Sequence, residues 1–293
     1  PGIDKQDTAY SAGDQRKYVD SNFVRFHYGK PERWKGWSYL PNPNKAIVGV
    51  VRDTHSWIGL DGTRYLALGT DRKLYLYSEG KVYDITPIRE TASGLSNPFT
   101  TNGTTTVTVT DASHGALVGD FVTFDSFSSI DGLDMNQEFE IITVPSASTY
   151  TVTHTSTASG STSGGGGTGN AVYQINTGPS TSTYGYGWNT LTWNLSTWNT
   201  PRSSSNVVVA GRNWSLDNFG EDLIATVLDG GTFIKDISGS ITARATALSN
   251  APTASRFSLV STDTRHLMIF GTETTIGNNA TQDDLLFRFS DRE

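Results

Sequence analysis

The chain contains no cysteine and only two methionines among its 293 residues. Without cysteine, no disulfide can brace the fold and no metal site can be built on thiolates, which suits folding in a reducing cytoplasm. No stretch repeats apolar residues at helical spacing beyond two or three turns, and none approaches the ~20 apolar residues of a membrane helix. The sequence therefore predicts little helix and no membrane span.

Positive charge is missing from the middle third of the chain, because residues 91–201 contain no Lys or Arg. The same stretch holds seven acids, which equal the whole formal net charge of −7: Asp111, Asp120, Asp125, Asp131, Asp134, Glu138 and Glu140. Phosphate contacts need a basic face. This third is therefore not expected to bind nucleic acid, and its exposed faces are expected to be acidic.

Thr, Ser, Gly, Val and aromatic residues dominate, and they favour β-structure. Between residues 46 and 87 the strands AIVGVVRD, RYLALGT, KLYLYSEG and KVYDITP predict an antiparallel meander, with hairpin turns at Asp61-Gly62 and Glu79-Gly80. Four more alternating strands, TTTVTVTD, FVTFDSF, EFEIITV and TYTVTHT, lie within residues 95–175. The Gly-rich run after them is interpreted as a flexible linker. This region is predicted to be a separate small β-sandwich or β-barrel.

A loose internal repeat links three stretches, which begin near Trp57, Trp214 and Phe257. Each has an aromatic residue, an apolar strand, a turn and another strand, and the step from Trp214 to Phe257 is 43 residues. A period near 40 residues is typical of β-propeller blades. The predicted fold is all-β: a propeller-like array, complete or incomplete in this chain, with an inserted small β domain; a sandwich or plain meander stays open.

Three predicted segments follow. Residues 1–94 form an N-terminal arm and the first propeller-like strands, residues 95–175 form the inserted acidic domain, and residues 176–293 contain a Trp-rich connecting loop and the remaining blades.

No catalytic constellation stands out. The five histidines are scattered, and no pair has the spacing of a metal site. Asp131-Gly-Leu-Asp134-Met-Asn136 lacks the spacing of a calcium loop, so turn chemistry is favoured. The adjacent acids Glu221-Asp222 and Asp283-Asp284 precede apolar strands, and a propeller glycosidase using carboxylates such as Asp217 and Asp283 remains a minor alternative. We expect no catalytic residue, no metal and no cofactor.

The stretch WNTLTWNLSTWN places Trp188, Trp193 and Trp198 at a spacing of five. That step lines up the rings in neither a helix nor a strand. Three roles are open: a sugar-stacking platform of a carbohydrate-binding adhesin, an anchor on a partner, or a buried plug. We predict that at least two of the three rings are mostly buried. With them, Arg25, Trp37 and Arg202 are candidate interface or structural anchors.

The N-terminus, PGIDKQDTAYSAGDQRKYVDSNFVRFHYGKPERWKGW, resembles the opening of a family of tailed-phage virion proteins. The residues that carry the resemblance are Pro1, Gly2, Thr8, Tyr10, Tyr18, Asp20, Asn22, Val24, Arg25, Phe26, Gly29, Pro31, Gly36 and Trp37. Similarity continues in LALGTDRKLYLYSEGKVYDITPIR, in the Trp-rich loop ending TPRSSS, and in DDLLFRFSDRE. The chain is identified as similar to the tail nozzle, or tail tubular protein B-like, proteins of short-tailed (podovirus-type) bacteriophages.

That resemblance implies a structural role without enzyme activity. Such proteins form a six-fold ring, a homo-hexamer, of propeller-like subunits below the portal and adaptor, through which the genome is ejected. The implied partners are further copies of the chain, the phage adaptor, and tail fibre or tailspike proteins, with DNA passing transiently and without specific binding. The implied location is the virion tail, after assembly in the host cytoplasm.

Overall fold

The computed structural model describes residues 3, 5–6, 8, 10–11, 18–34, 36, 46–178 and 211–291. The described part of the chain is all-β apart from a helical turn at residues 10–11: its strands number 21, all paired antiparallel, and one 3-10 turn spans Asn279–Thr281. The chain divides into two compact units, residues 1–41 and 42–293, because contacts are concentrated within each of them.

The first unit contains one hairpin. Strands β1 (Val24–His27) and β2 (Lys30–Arg33) pair antiparallel, with Arg25 opposite Glu32. Tyr28 and Gly29 both have positive φ, as a two-residue hairpin turn requires. The N-terminal stretch therefore contains one antiparallel hairpin.

In the second unit, the first blade is a four-stranded meander of β3 (Val51–Ile58), β4 (Arg64–Thr70), β5 (Leu74–Ser78) and β6 (Lys81–Asp84). Its turns at Asp61-Gly62 and Glu79-Gly80 lie where the sequence predicts them. Gly62, Glu79 and Gly80 have positive φ.

An eight-stranded sheet follows the first blade in the chain. Its strands are β7 (Ile88–Ser96), β8 (Phe99–Thr100), β9 (Thr106–Thr110), β10 (Phe121–Asp125), β11 (Glu138–Ser146), β12 (Thr149–Thr153), β13 (Ser163–Gly165) and β14 (Thr168–Gln174). They run in the order β13-β8-β9-β12-β11-β10-β14-β7 around one apolar core. The long strand β11 pairs with β10 near its start and with β12 through two register shifts. We call these eight strands the inserted sheet.

The glycine run of the inserted sheet is an ordered part of the sheet, so its interpretation as a flexible linker was wrong. Gly164 lies in β13, and Gly166 and Gly167, which have positive φ, form the tight connection from β13 to β14. A Cβ on Gly166 would lie 2.4 Å from the ring of Phe99. Glycine is needed here for a tight turn against a buried aromatic side chain, rather than for mobility.

The second blade is again a four-stranded meander: β15 (Trp214–Phe219), β16 (Asp222–Val227), β17 (Thr232–Lys235) and β18 (Thr246–Ala247). The third blade has three described strands: β19 (Phe257–Val260), β20 (Leu267–Phe270) and β21 (Phe287–Phe289). Trp214 and Phe257 both open the first strand of a blade, as the 43-residue step predicts. Trp57 lies near the end of β3, so its alignment with those two residues was wrong.

The blades pack through their first strands, as in a propeller. Strand β15 packs against β3 on one side and against β19 on the other. The second blade therefore lies between the first and the third.

Candidate assembly surface

The same kind of polar link joins each blade to the next. Asp53 Oδ2 on β3 accepts the N–H of Leu216 on β15 at 3.1 Å. Asp217 Oδ2 on β15 accepts the N–H of Val260 on β19 at 2.7 Å. Carboxylate to main-chain bonds are short and strong when one partner is charged. In each case, a carboxylate on the first strand of one blade holds the first strand of the next blade in place.

An apolar core fills the space between the first two blades, and Trp214 lies at its centre. The indole is buried, and its Nε1 donates to the carbonyl oxygen of Thr70 at 2.7 Å. A Cβ on Gly69 would lie 2.7 Å from the Trp214 ring, so only glycine allows this approach. The second and third blades share a smaller core around Ile224, Leu267 and Ile269.

The outer face of the first blade, which faces away from the second, is covered by the chain itself. Leu68, Tyr75 and Val82 are buried there, with Ile47 packed against them. The N–H of Val48 donates to the Tyr75 hydroxyl at 3.0 Å. The array is therefore closed at this end by residues that precede β3.

The outer face of the third blade has no such cover among the described residues. Cross-strand register places six apolar side chains on it, two per strand: Phe257, Leu259, Met268, Phe270, Phe287 and Phe289. Three of them are well exposed: Phe257 at 45 %, Phe287 at 48 % and Phe289 at 67 %. We call these six side chains the aromatic face.

Ring stacking orders this face. The rings of Phe257 and Phe270 are 4.6 Å apart between centroids and nearly parallel, at 6°, and Phe270 stacks on Phe287 at 5.4 Å. On the opposite side of the blade, Ser258, Leu267 and Ile269 are buried against the second blade. Exposed contiguous apolar surface of this kind marks an interaction site.

Among the described residues, no strand pairs with the outer edge of the third blade. Strand β21 lies at the end of its sheet, whereas the first and second blades each continue to a fourth strand. Beside β21, an open groove of about 450 Å³ is lined by the 248–252 loop, Leu267, Ile269, Ile276 and residues 288–291. An exposed edge presents unpaired backbone groups that can bind another strand.

A buried ionic joint connects the first blade to the inserted sheet. Lys73 is fully buried; its Nζ donates to Asp84 at 3.0 Å and to Glu138 of β11, and it lies 4.3 Å from the ring centroid of Phe121. Arg244, from the second blade, donates to the other oxygen of Asp84 at 2.7 Å. Burial acts to raise the pKa of Asp84, but Lys73 and Arg244 outweigh it and lower the pKa below its ordinary value.

Five of the seven acids in residues 91–201 are buried or half-buried, so the exposed faces of the inserted sheet carry less negative charge than its composition suggests. Glu138 pairs with Lys73 and Glu140 with Arg72. Asp111 is buried and accepts the Tyr173 hydroxyl at 2.6 Å, and Asp120 is also buried. Asp131 accepts the hydroxyls of Thr101 and Thr162, which leaves Asp125 and Asp134 as exposed acids. The bases that pair with Glu138 and Glu140 come from the first blade.

Asp120 lies at this joint with one strong partner, the N–H of Leu117 at 2.8 Å. Burial raises its pKa to about 6, although that hydrogen bond and the positive charges of Arg89 and Arg212 act in the opposite direction. Because the folded state binds this proton more tightly than the unfolded state, Asp120 contributes most to stability below the unfolded pKa near 3.8, and the contribution is lost as pH rises to about 6.

Asp120→Asn is therefore expected to remove part of the pH dependence of unfolding between pH 4 and 6. The variant should be more stable than the parent by about 1 to 3 kcal/mol at pH 7, with the difference shrinking toward pH 4, because the neutral amide escapes the ionisation cost. Urea unfolding of both proteins across this range measures it. A stability difference that stays constant with pH would contradict the assignment.

Of the six anchors proposed from sequence, the structure describes one. Arg25 is exposed on β1, and its Nη2 donates to Glu32 at 3.1 Å across the hairpin. Trp37, Trp188, Trp193, Trp198 and Arg202 lie outside the described residues, and so does the prediction that two of the tryptophans are buried. Sequence reasoning missed the aromatic face, although the alternation in FSLV, LMIF and FRF signals it.

The carboxylates considered for glycosidase chemistry have structural partners. Asp217 holds β19, and Asp222 Oδ1 accepts the N–H of Ile237 at 2.9 Å. Glu221 accepts the N–H of Leu60. Asp284 pairs with Arg256, and Asp283 Oδ1 accepts the N–H of Leu285 at 2.9 Å. Each therefore holds a strand, a turn or an ion pair.

The loop from Asp131 to Asn136 has the turn chemistry that the sequence favours. Asp131 has positive φ, and Asp134 Oδ1 accepts the N–H of Asn136 at 3.0 Å. In the described ranges, no group of three or more acidic, His or Cys side chains is arranged to hold a metal. No described helix is long and apolar enough to cross a membrane.

Comparison with known proteins gives little further information. No protein-family model matches the chain, and no curated protein matches it at a significant level. Among solved structures, the phage phi92 endosialidase matches 80% of this chain at 14% identity, with a TM-score of 0.25. The match covers 37% of that protein's length, and at this TM-score it carries no argument about fold or activity.

Proposed function

We propose that the chain is a structural component of a bacteriophage tail, a nozzle-type subunit that forms part of the genome channel and is not an enzyme. The observation that carries this proposal is the aromatic face: among the residues that the structure describes, the first blade is covered on its outer side and the third blade is not. The resemblance of the N-terminal stretch to tail nozzle proteins supports the same role.

The asymmetry of the blade array suits assembly into a ring. A ring of identical subunits uses two different patches on each subunit, because every contact joins the front of one copy to the back of the next. The aromatic face supplies one patch with stacked phenylalanines at its centre, and large aromatic side chains dominate binding energy at interfaces.

In this proposal, the role of the inserted sheet differs from the role that its composition implies. Two of its acids, Glu138 and Glu140, pair with Lys73 and Arg72 of the first blade. Fewer acids, among them Asp125 and Asp134, are then exposed to repel DNA or to attract basic partners, and the sheet serves as an accessory domain joined to the first blade.

Protein content of purified phage particles tests the role. We expect the chain to be present at a fixed number of copies per particle, and a Phe257→Ser/Phe287→Ser double variant to be excluded while retaining the parent's circular dichroism. Leu117→Ser changes an exposed apolar side chain on the inserted sheet and serves as the matched control, which should be incorporated.

Absence of the parent chain from particles would contradict the proposal. Binding on a glycan array that is lost in Trp193→Ala would instead favour the adhesin, and turnover of host polysaccharide by the purified chain would favour the glycosidase.

A further inference from the structure

We propose that Asn102 is a site of spontaneous modification, where the adjacent backbone nitrogen converts the side-chain amide into a carboxylate with the help of the Thr104 hydroxyl. Asn102-Gly103 is the single Asn-Gly pair in the sequence. Both residues are exposed, in the connection between β8 and β9 of the inserted sheet. The chemistry uses only groups of this chain and water, so it is independent of the proposed role in the tail.

The reaction is a cyclisation followed by hydrolysis. The backbone nitrogen of Gly103 attacks the side-chain carbonyl carbon Cγ of Asn102, which forms an N–C bond and places negative charge on Oδ1. The bond from Cγ to Nδ2 then breaks, and the leaving amide group takes the proton of the Gly103 nitrogen and departs as ammonia. Water adds to either carbonyl of the resulting five-membered imide, which yields aspartate or isoaspartate at position 102.

The hydroxyl of Thr104 is in position to stabilise the negative charge of the attack step. Its Oγ1 donates to Asn102 Oδ1 at 2.6 Å. The backbone N–H of Thr106 donates to the same hydroxyl oxygen at 3.1 Å, so the single hydroxyl proton is directed at Asn102. A donor aimed at the atom that becomes negatively charged lowers the barrier to such an attack.

The backbone is anchored on both sides of the Asn-Gly pair. Thr101 N donates to Thr162 O at 2.9 Å, and Ala158 N donates to Thr104 O at 3.0 Å. Between these anchors, no described residue accepts the N–H of Gly103, and the nearest atom to a Cβ built there would be 3.9 Å away. The attacking nitrogen is therefore accessible, while the loop around it is held in one conformation, which reduces the entropy cost of the reaction.

Three Asp-Gly pairs in the chain do not offer the same chemistry. They begin at Asp61, Asp131 and Asp229. Both carboxylate oxygens of Asp61 accept from Thr63, those of Asp131 accept two threonine hydroxyls, and Asp229 pairs with Arg256. An ionised carboxylate resists attack by a nitrogen nucleophile, because it already carries negative charge. These three pairs are internal references for the reactivity of Asn102.

Isoaspartate at position 102 lengthens a connection between two strands of fixed register. The isoaspartyl link runs through the side chain and adds one methylene group to the backbone. Just before the connection, Phe99 pairs with Val109 and Thr100 with Thr108, and both Phe99 and Val109 are fully buried. We expect isoaspartate to weaken the attachment of β8, whereas aspartate keeps the normal backbone and should change stability little.

Incubation of the purified chain at mildly alkaline pH, followed by peptide mapping, tests the proposal. Chymotrypsin is the suitable protease, because residues 91–201 contain no Lys or Arg for trypsin and cleavage after Phe99 releases Asn102 in a short peptide. We expect this peptide to acquire the mass of an NH2 to OH exchange, in two chromatographic forms that correspond to aspartate and isoaspartate. The peptides of the three Asp-Gly pairs should isomerise more slowly.

Substitutions at residue 104 separate the assisted reaction from the general lability of asparagine. Thr104→Val removes the hydroxyl and is expected to slow the conversion about tenfold, the equivalent of one lost hydrogen bond to developing charge. Thr104→Ser keeps a hydroxyl and should convert like the parent. Thr106→Val changes another exposed threonine of the same segment and keeps its backbone N–H, so this matched control should leave the rate unchanged.

Urea unfolding measures the structural consequence. Protein aged until position 102 is largely isoaspartate should unfold at lower urea than fresh protein, and Asn102→Asp should unfold like fresh protein. Three outcomes would overturn the proposal: an unchanged Asn102 peptide in the parent, conversion to aspartate without isoaspartate, or equal conversion rates in the parent and Thr104→Val. Aged protein as stable as Asn102→Asp would overturn the effect on β8.

Discussion

Lys73→Met is expected to lower the free energy of unfolding by about 3 to 5 kcal/mol, because it removes one partner from a buried ion cluster. Methionine has nearly the length of lysine, so little cavity forms. Asp84 keeps Arg244, but Glu138 keeps only the amide of Gln174, which donates to it at 2.8 Å. The carboxylate of Glu138 is then left with too few donors at the joint between blade and inserted sheet.

Urea unfolding measures this loss, and limited proteolysis shows whether the inserted sheet becomes separately accessible. Lys81→Met, an exposed lysine on β6, is the control and should change stability by less than about 0.5 kcal/mol. Adding Glu138→Gln to Lys73→Met should restore part of the loss, since the uncompensated charge is removed. If Lys73→Met and Lys81→Met lowered the free energy of unfolding equally, Lys73 would not form a stabilising ionic joint.

Trp214→Ala is expected to cost about 3 to 5 kcal/mol, the range for truncating a large buried aromatic residue. The ring fills the core between the first two blades and lies against Gly69, and its N–H bonds Thr70. Removing it leaves a cavity and an unpaired carbonyl where β4 and β15 meet. Gly69→Val should also lower the free energy of unfolding, because the added side chain would push the Trp214 ring away.

Thermal and urea unfolding of both variants check this prediction. Trp34→Ala removes an exposed tryptophan from the first unit and should be close to neutral. If Trp214→Ala changed stability as little as Trp34→Ala, the core around Trp214 would not be what holds the first two blades together.

Local signals in the sequence predicted much of the fold. Turn residues with positive φ, such as Glu79-Gly80, and strict alternation, as in β9 and β12, identify hairpins because they depend only on neighbours. The 43-residue step found the first strands of the second and third blades. The strands β7, β8, β13 and β14 were not predicted, since their Thr, Ser and Gly sequences alternate poorly and pair through register shifts.

Composition could not show which charged residues lie close together in the folded chain. Lys73 is 65 residues from Glu138 in sequence, and only the folded chain brings them together. The acidic middle third therefore suggested a more acidic surface than the folded chain has, because Glu138 and Glu140 pair with bases of the adjacent blade. The aromatic face was missed for a related reason: alternation identifies a buried face, but only the array shows which blade has no neighbour to bury it.

An electron cryomicroscopy reconstruction of the particle tail tests the central claim most directly. We predict a ring of identical subunits, six by family resemblance, with the three blades and the inserted sheet fitting each subunit's density and the aromatic face covered by protein. A tail reconstruction in which this chain has no density, or in which the aromatic face is open to solvent in every copy, would contradict the account.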